Sequence, residues 1–215
     1  MSTIQTIHAL VEQRLGLATT PNRRADFEDL LRELSGGDME MLIAQLRASD
    51  STAPVWQAMV KALAIGETYF FRDRSHFTVL RESILPALIT QRRAAGELAL
   101  NIACVGCATG EEPYSIAMLL TEMLPDRPNW LVRIVGTDIN AQALEMARRG
   151  WYRQWSFRLT DESIYTHFER VQNGYQLKPY IREMVEFRLA NLFDALPVPQ
   201  FDLILCRNVI LYFTP

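Results

Sequence analysis

The sequence predicts an α/β protein in which a helical bundle precedes an open, doubly wound sheet. Three observations predict it. Apolar residues recur at helical spacing over residues 1–65. The stretch Leu98–Ser115, LALNIACVGCATGEEPYS, then runs from apolar residues through Gly106 and Gly110 into two glutamates and a proline, the pattern of strand, tight turn and helix. A second apolar run ends on Asp138, roughly 25 to 30 residues past that turn, where such sheets place the acidic residue that binds ribose hydroxyls.

In the bundle, Ile4, Ile7, Leu10, Val11 and Leu15 mark a first helix that Gly16 can stop. Phe27, Leu30, Leu31 and Leu34 mark a second before Gly36 and Gly37, and Met39, Leu42, Ile43 and Leu46 a third. After Pro54, Val55, Met59, Val60 and Leu63 give a fourth. Arg23, Arg24, Arg32 and Arg47 alternate with acids, which reads as a solvated face laced with ion pairs. Glu67–Arg72, ETYFFR, places three aromatics in a row, and the residues alone suggest a hydrophobic hinge between domains. Ser75 is expected to open a helix through Leu88 that leads to the strand at Leu98.

Beyond the glycine turn come a helix through Ile116 and Met123, the strand Leu131–Thr137, and a helix around Leu144 that Asn140 or Asp138 can cap and Gly150 can end. Thr160 is expected to start a short helix, and Asn173-Gly174 a tight turn within a small antiparallel β appendage at about 172–186. Asn191 follows the extended segment Val185–Leu189, and Arg207 and Asn208 follow the strand Phe201–Cys206. Polar residues at strand ends converge on the ligand crevice of such a sheet.

The turn itself narrows the ligand. Gly106 and Gly110 allow positive φ or close approach of a ligand to the backbone. Glu111 and Glu112 would repel a phosphate, and no Gly-Lys-Ser/Thr follows, so a cationic ligand fits better than a nucleotide phosphate. Thr109 and Glu112 have capping-box spacing, but Pro113 favours a helix whose first position is the proline and whose cap is Glu112.

Composition sets the remaining bounds. The 215 residues are 49% hydrophobic and 22% charged, and the net charge of -3 gives no reason to expect a nucleic-acid partner. Every basic residue except Lys61 and Lys178 is arginine, which favours carboxylate partners. No run approaches a membrane span and no signal pattern opens the chain, so a cytoplasmic location without membrane insertion is expected. Cys104 and Cys107 form a C-x-x-C, but only Cys206 and the scattered His8, His76 and His167 remain to complete a metal site; the expectation is packing and no metal.

Five motifs, in order, carry a resemblance: ETYFFR, ATGEEPYSIAM, GTDIN, VEFRLANL and FDLILCRNVILYF. They resemble the motif series of the chemotaxis-receptor glutamate methyltransferases, the CheR type, and the likeness runs from about residue 10 to the end. It implies a helical domain over 1–65, a linker and helix contributing to the site over 66–97, and a Rossmann-like class I methyltransferase domain over 98–215 that binds S-adenosylmethionine and releases S-adenosylhomocysteine. The implied reaction is methyl transfer to glutamate side chains of bacterial chemoreceptors, forming methyl esters. Around the cofactor the resemblance puts Thr68, Arg72, Glu112, Asp138, Asn191, Leu192, Arg207 and Asn208, beside Gly106 of the turn. The linker aromatics become a wall of the site, displacing the hinge reading. For the transfer, Arg72 or Arg207 would steer the substrate carboxylate and Tyr212 would orient it. The cytoplasmic helices of chemoreceptors would dock across the bundle near Arg23, Arg24 and Arg32.

The departures from the family pattern carry expectations too. Gly66 stands where some relatives have asparagine, so one cofactor contact is expected to be missing. The segment between Phe168 and Val185 is shorter than in members whose appendage grips a tethering peptide, so no tight tether binding is expected. The chain stops at Pro215, before the helix, fifth strand and hairpin with which the family continues, so the domain over 98–215 is expected to be incomplete, with an exposed apolar edge. A nicotinamide-dependent oxidoreductase is disfavoured by Glu111 and Glu112, and a non-catalytic binding module stands as the alternative.

Overall fold

The computed structural model describes residues 2–17, 24–192 and 200–210. Four helices, α1 (Thr3–Leu15), α2 (Arg24–Ser35), α3 (Met39–Ala48) and α4 (Pro54–Leu63), bury Val11, Phe27, Leu31, Leu42, Trp56 and Met59 among one another. Local chemistry sets their ends. Ser2 and Gln5 form a reciprocal capping box on α1, and Gly16 ends it at φ 68. Pro54 takes the first position of α4, where its missing N–H costs nothing. On the outer face Arg24 pairs with Glu28 at 3.0 Å and Arg32 with Asp29, the solvated, self-paired surface that charge alternation predicts. Arg23 lies outside the described residues.

The linker is anchored. Phe70 is 0% exposed and packs edge-on against Tyr152 and Phe168, a burial that stabilises by roughly 1.5–3 kcal/mol. The helix that follows begins at Arg74, one residue before the expected Ser75. Its flanking Asp73 makes no side-chain cap, because its carboxylate turns to Arg207 instead, at 2.8 Å. This helix is α5 (Arg74–Val79), a π turn (Leu80–Ile84) and α6 (Leu85–Ala94). Pro86 accounts for the π turn: its ring cannot share space with the carbonyl one turn back, and the backbone widens just before it.

The central sheet is parallel, in the order β6-β2-β1-β7, with β1 (Ala99–Val105), β2 (Leu131–Asp138), β6 (Val185–Leu189) and β7 (Leu203–Cys206). The near-continuous burial of β1 suits a strand covered on both faces. Helix α7 (Glu111–Met123) connects β1 to β2, and α8 (Ala141–Arg149) follows β2, capped by Asn140 and ended by Gly150 at φ 61. Strand order reverses between β1 and β7, and that switch point is where open sheets of this class leave a crevice. The fold is thus the expected mixed α/β, Rossmann-like arrangement with a helical bundle in front. Among the described residues β7 is an edge strand, and its Ile204 is 61% exposed.

Several elements differ from expectation. Helix α7 starts at Glu111 after Gly110, so Glu112 is inside the first turn and Pro113 is third. A proline there is tolerated because the first four N–H groups have no helical partner. The Thr109 hydroxyl, which a capping box would need, goes to the Glu111 carboxylate at 2.6 Å. The small antiparallel sheet begins well before residue 172: its strands are β3 (Trp151–Tyr152), β4 (Phe168–Val171) and β5 (Gly174–Leu177), in the order β3-β5-β4. Val185–Leu189 belongs to the parallel sheet, in register with β2 from Ile134↔Val185 to Asp138↔Leu189, and the short α9 (Pro179–Arg182) separates the two. Thr160 starts no helix, since its hydroxyl donates back to Phe157; a 3-10 turn begins at Glu162. No helix among the described residues is long and apolar enough to cross a membrane.

Candidate active site

A cleft opens at the C-terminal ends of β1, β2, β6 and β7, about 1110 Å³ with its open mouth included. Its floor is Val105 to Ala108, Thr137 to Asn140, Ala190 to Leu192, and Arg207 to Val209; Gly66 to Thr68 and Arg72 form the front; Leu15 and Leu17 of the bundle reach its rim. The predicted Thr68, Arg72, Gly106, Glu112, Asp138, Asn191, Leu192, Arg207 and Asn208 therefore all border one space. Tyr212 lies outside the described residues.

The turn after β1 is built on backbone that ordinary residues avoid. Gly106 has φ 68, and a Cβ there would meet Val209 Cγ2 at 2.2 Å. The space where a Cβ would sit is thus filled by Val209, and Gly106 itself borders the cleft. Gly110 has φ 92, and a Cβ would meet Ala147 at 2.8 Å. Between them Ala108 has φ 46, which points its N–H at Asp138 Oδ2, 2.8 Å away. Asp138 also accepts from Asn140 N–H at 2.8 Å. Two carboxylate oxygens offer about four acceptor positions, so vicinal hydroxyls find room beside the two backbone donors. Burial raises the Asp138 pKa above its ordinary value, and those N–H groups oppose the rise.

Charge concentrates at the opposite wall. Arg207 Nη2 donates to the Arg72 carbonyl at 2.6 Å and to Asp73 Oδ2 at 2.8 Å, while Nη1 stands 3.4 Å from Glu112 Oε2. Its guanidinium lies over the Phe77 ring at 5.4 Å. Arg72 donates to the Glu67 carbonyl and reaches across the Tyr69 ring. Burial pushes the Glu112 carboxyl up to about 7, against the attraction of Arg207 and Arg72. Among the described residues, buried Arg207 Nε and Nη1 have no hydrogen-bond partner. A cleft lined by two buried carboxylates and two arginines suits a ligand that carries positive charge and hydroxyls next to a second, anionic one.

Strain gathers at the same place. Among the described residues six non-glycines have positive φ, and four of them, Phe71, Asp73, Ala108 and Asn208, flank the cleft. Cys104 and Cys107 lie beneath it, buried, with burial raising both thiols well above their ordinary value. That is the state of packing residues, and a reactive thiol needs the opposite shift.

The structure adds links between the bundle and the cleft that the sequence does not announce. Asn191 borders the cleft, but its Nδ2 donates to the Arg14 carbonyl at the end of α1, at 2.6 Å. Gln57 of α4 accepts from Ala141 N–H at 3.0 Å and donates to the Ile139 carbonyl at 3.1 Å. The bundle is therefore fastened to the loop that carries Asp138. Glutamine in an otherwise apolar stretch, PVWQAMV, is the only signal that pointed to Gln57.

Comparison with known proteins agrees with this geometry. Residues 66–215 match the family model described as CheR methyltransferase, SAM binding domain. The chain is 36% identical over 213 residues to a chemotaxis protein methyltransferase of Vibrio parahaemolyticus, covering 96% of this chain and 70% of that one. It is 33% identical, with the same coverage, to chemotaxis protein methyltransferase 1 of Vibrio cholerae. It is 34% identical over 217 residues to a probable biofilm formation methyltransferase, WspC, of Pseudomonas aeruginosa, covering 95% of this chain and 48% of that one.

Proposed function

The chain belongs to the CheR methyltransferase family and carries its S-adenosylmethionine-binding domain, and on that premise we propose that it methylates glutamate side chains of bacterial chemoreceptors. The observation that carries the proposal is the charge gathered on one cleft: the carboxylates of Glu112 and Asp138 and the guanidinium groups of Arg72 and Arg207 all line it. When bound, S-adenosylmethionine supplies an electrophilic methyl group on a sulfonium. Glu112 balances its positive charge, and Asp138 accepts from ribose hydroxyls. Thr68, Asn191, Leu192 and Asn208 shape the rest of the cofactor wall.

A glutamate side chain is already ionised near neutral pH, with an ordinary pKa of about 4.3, so the chain needs no strong base to activate it. Its task is positioning. Arg72 and Arg207 orient the incoming carboxylate along the line of attack, and Tyr212 adds a hydrogen bond to it. The acidic, helical face of a receptor docks on the bundle, where the exposed Arg24 and Arg32 offer cations paired with Glu28 and Asp29. This setting places the protein in the cytoplasm, against the cytoplasmic helices of the receptor.

The test is methyl transfer from labelled S-adenosylmethionine to a receptor methylation-helix fragment, with Arg72→Ala beside the wild type. The expected result is a loss of transfer of about a hundredfold with S-adenosylhomocysteine affinity reduced less than about tenfold. Equal losses in both would remove Arg72 from substrate positioning, and ester formation on no receptor glutamate would remove the proposed substrate.

A further inference from the structure

Glu111 is 2% exposed and does not border the cleft, yet it is the point at which four segments meet. Its Oε2 accepts from Thr109 Oγ1 of the glycine turn at 2.6 Å, and its Oε1 from Ser156 Oγ in the turn after β3 at 2.9 Å. Its backbone carbonyl accepts from Ser115 Oγ at 2.6 Å. The two serines in turn hold the linker: the Ser156 carbonyl accepts from Phe70 N–H at 2.9 Å, and Ser115 Oγ accepts from Phe71 N–H at 3.0 Å. The linker sits between the two cleft residues it supplies, Thr68 before Phe70 and Arg72 after Phe71. Phe71 holds φ 55, a conformation a bulky side chain keeps only when its neighbours enforce it.

We propose that the Glu111 carboxylate is a positioning group for the cofactor site, fixing the Phe70–Phe71 backbone through the Ser156 turn so that Thr68 and Arg72 face the cleft. The Ser115 arm rests on the Glu111 backbone carbonyl and survives truncation of the side chain. The proposal rests on the reading of the cleft as the S-adenosylmethionine site. It assigns the two adjacent glutamates different work: Glu112 acts on the ligand by its charge, and Glu111 acts on the chain by accepting hydrogen bonds. A buried carboxylate with hydroxyl donors on both oxygens is replaceable by an amide, because each hydroxyl can rotate to donate or accept.

The experiment titrates S-adenosylhomocysteine calorimetrically into Glu111→Gln, Glu111→Ala, Ser156→Ala and the Glu111→Ala/Ser156→Ala double variant. Glu111→Gln is expected to bind within about threefold of wild type, and Glu111→Ala and Ser156→Ala about tenfold more weakly. The double variant is expected to be no weaker than Glu111→Ala alone, since the two residues act through one hydrogen bond. Ser156 is half-buried in a surface turn, so its variant tests the idea even where Glu111→Ala does not fold. Wild-type affinity in both Ser156→Ala and any folded Glu111→Ala overturns the positioning role, as does a loss in Glu111→Gln equal to that of the Glu111→Ala or Ser156→Ala truncation. Failure of the wild-type chain to bind S-adenosylhomocysteine overturns the cofactor site itself, and the proposal with it.

Discussion

Arg207 Nη1 lies 3.4 Å from the Glu112 carboxylate, and the same guanidinium holds Asp73 and the Arg72 carbonyl through Nη2. One planar fork thus joins the end of β7, the start of α7 and the linker. Lysine has a single point charge and cannot span all three. We expect Arg207→Lys to lower kcat for methyl transfer by about ten- to a hundredfold, with a smaller effect on cofactor KM. Steady-state kinetics with cofactor varied at saturating receptor fragment measures both; a change confined to KM would make Arg207 a cofactor ligand only.

Glu112 gives the site a pH dependence. Burial raises its pKa from 4.5 to about 7, so the folded chain holds this proton more tightly than the unfolded chain. The stability it contributes is full below pH 4.5 and is lost as pH rises through about 7, at most about 3 kcal/mol. A cationic ligand favours the ionised form. Affinity for S-adenosylmethionine is therefore expected to rise with pH up to about 7 and then level off, and Glu112→Gln to bind weakly with a flat profile. Calorimetric titrations across that range decide it; the same slope in wild type and variant would assign the pH dependence elsewhere.

The bundle is expected to be energetically part of the site. Asn191→Ala removes the bond to the Arg14 carbonyl, and Gln57→Ala removes two bonds to the loop after β2. Each is expected to cost about 1–3 kcal/mol, or roughly 2–12 °C in Tm for a chain of this size. Both are also expected to reduce the Tm increase that S-adenosylhomocysteine gives, since the bundle rim at Leu15 and Leu17 shifts with them. Thermal scans with and without ligand test this. An unchanged ligand-induced increase would confine the two residues to holding the domains together.

Much of this architecture is readable from local sequence, because local chemistry fixes it. Gly16, Pro54, Asn140 and Gly150 bound helices where short-range rules place them, and Asp138 stands at its strand end. What local sequence does not show depends on partners far away in the chain. Asp73 fails to cap α5 because Arg207 claims it, and Asn191 reaches back to Arg14 across most of the chain. Trp151–Tyr152 is too short to show strand periodicity and exists only because β5 pairs with it. No pattern in the first seventeen residues shows that Leu15 and Leu17 border the cleft, since both read simply as core of the bundle.

The positive φ values of Phe71, Asp73 and Ala108 have an evolutionary consequence. Each such conformation costs about 1–3 kcal/mol, absorbed when the chain folds and before any ligand arrives. At Ala108, where glycine removes only a methyl group, selection for heat resistance finds a gain, whereas at Phe71 and Asp73 glycine also removes packing on Phe77 and the bond to Arg207. That gain also frees the backbone that shapes the cleft, so the site limits how robust descendants of this chain become while they still bind.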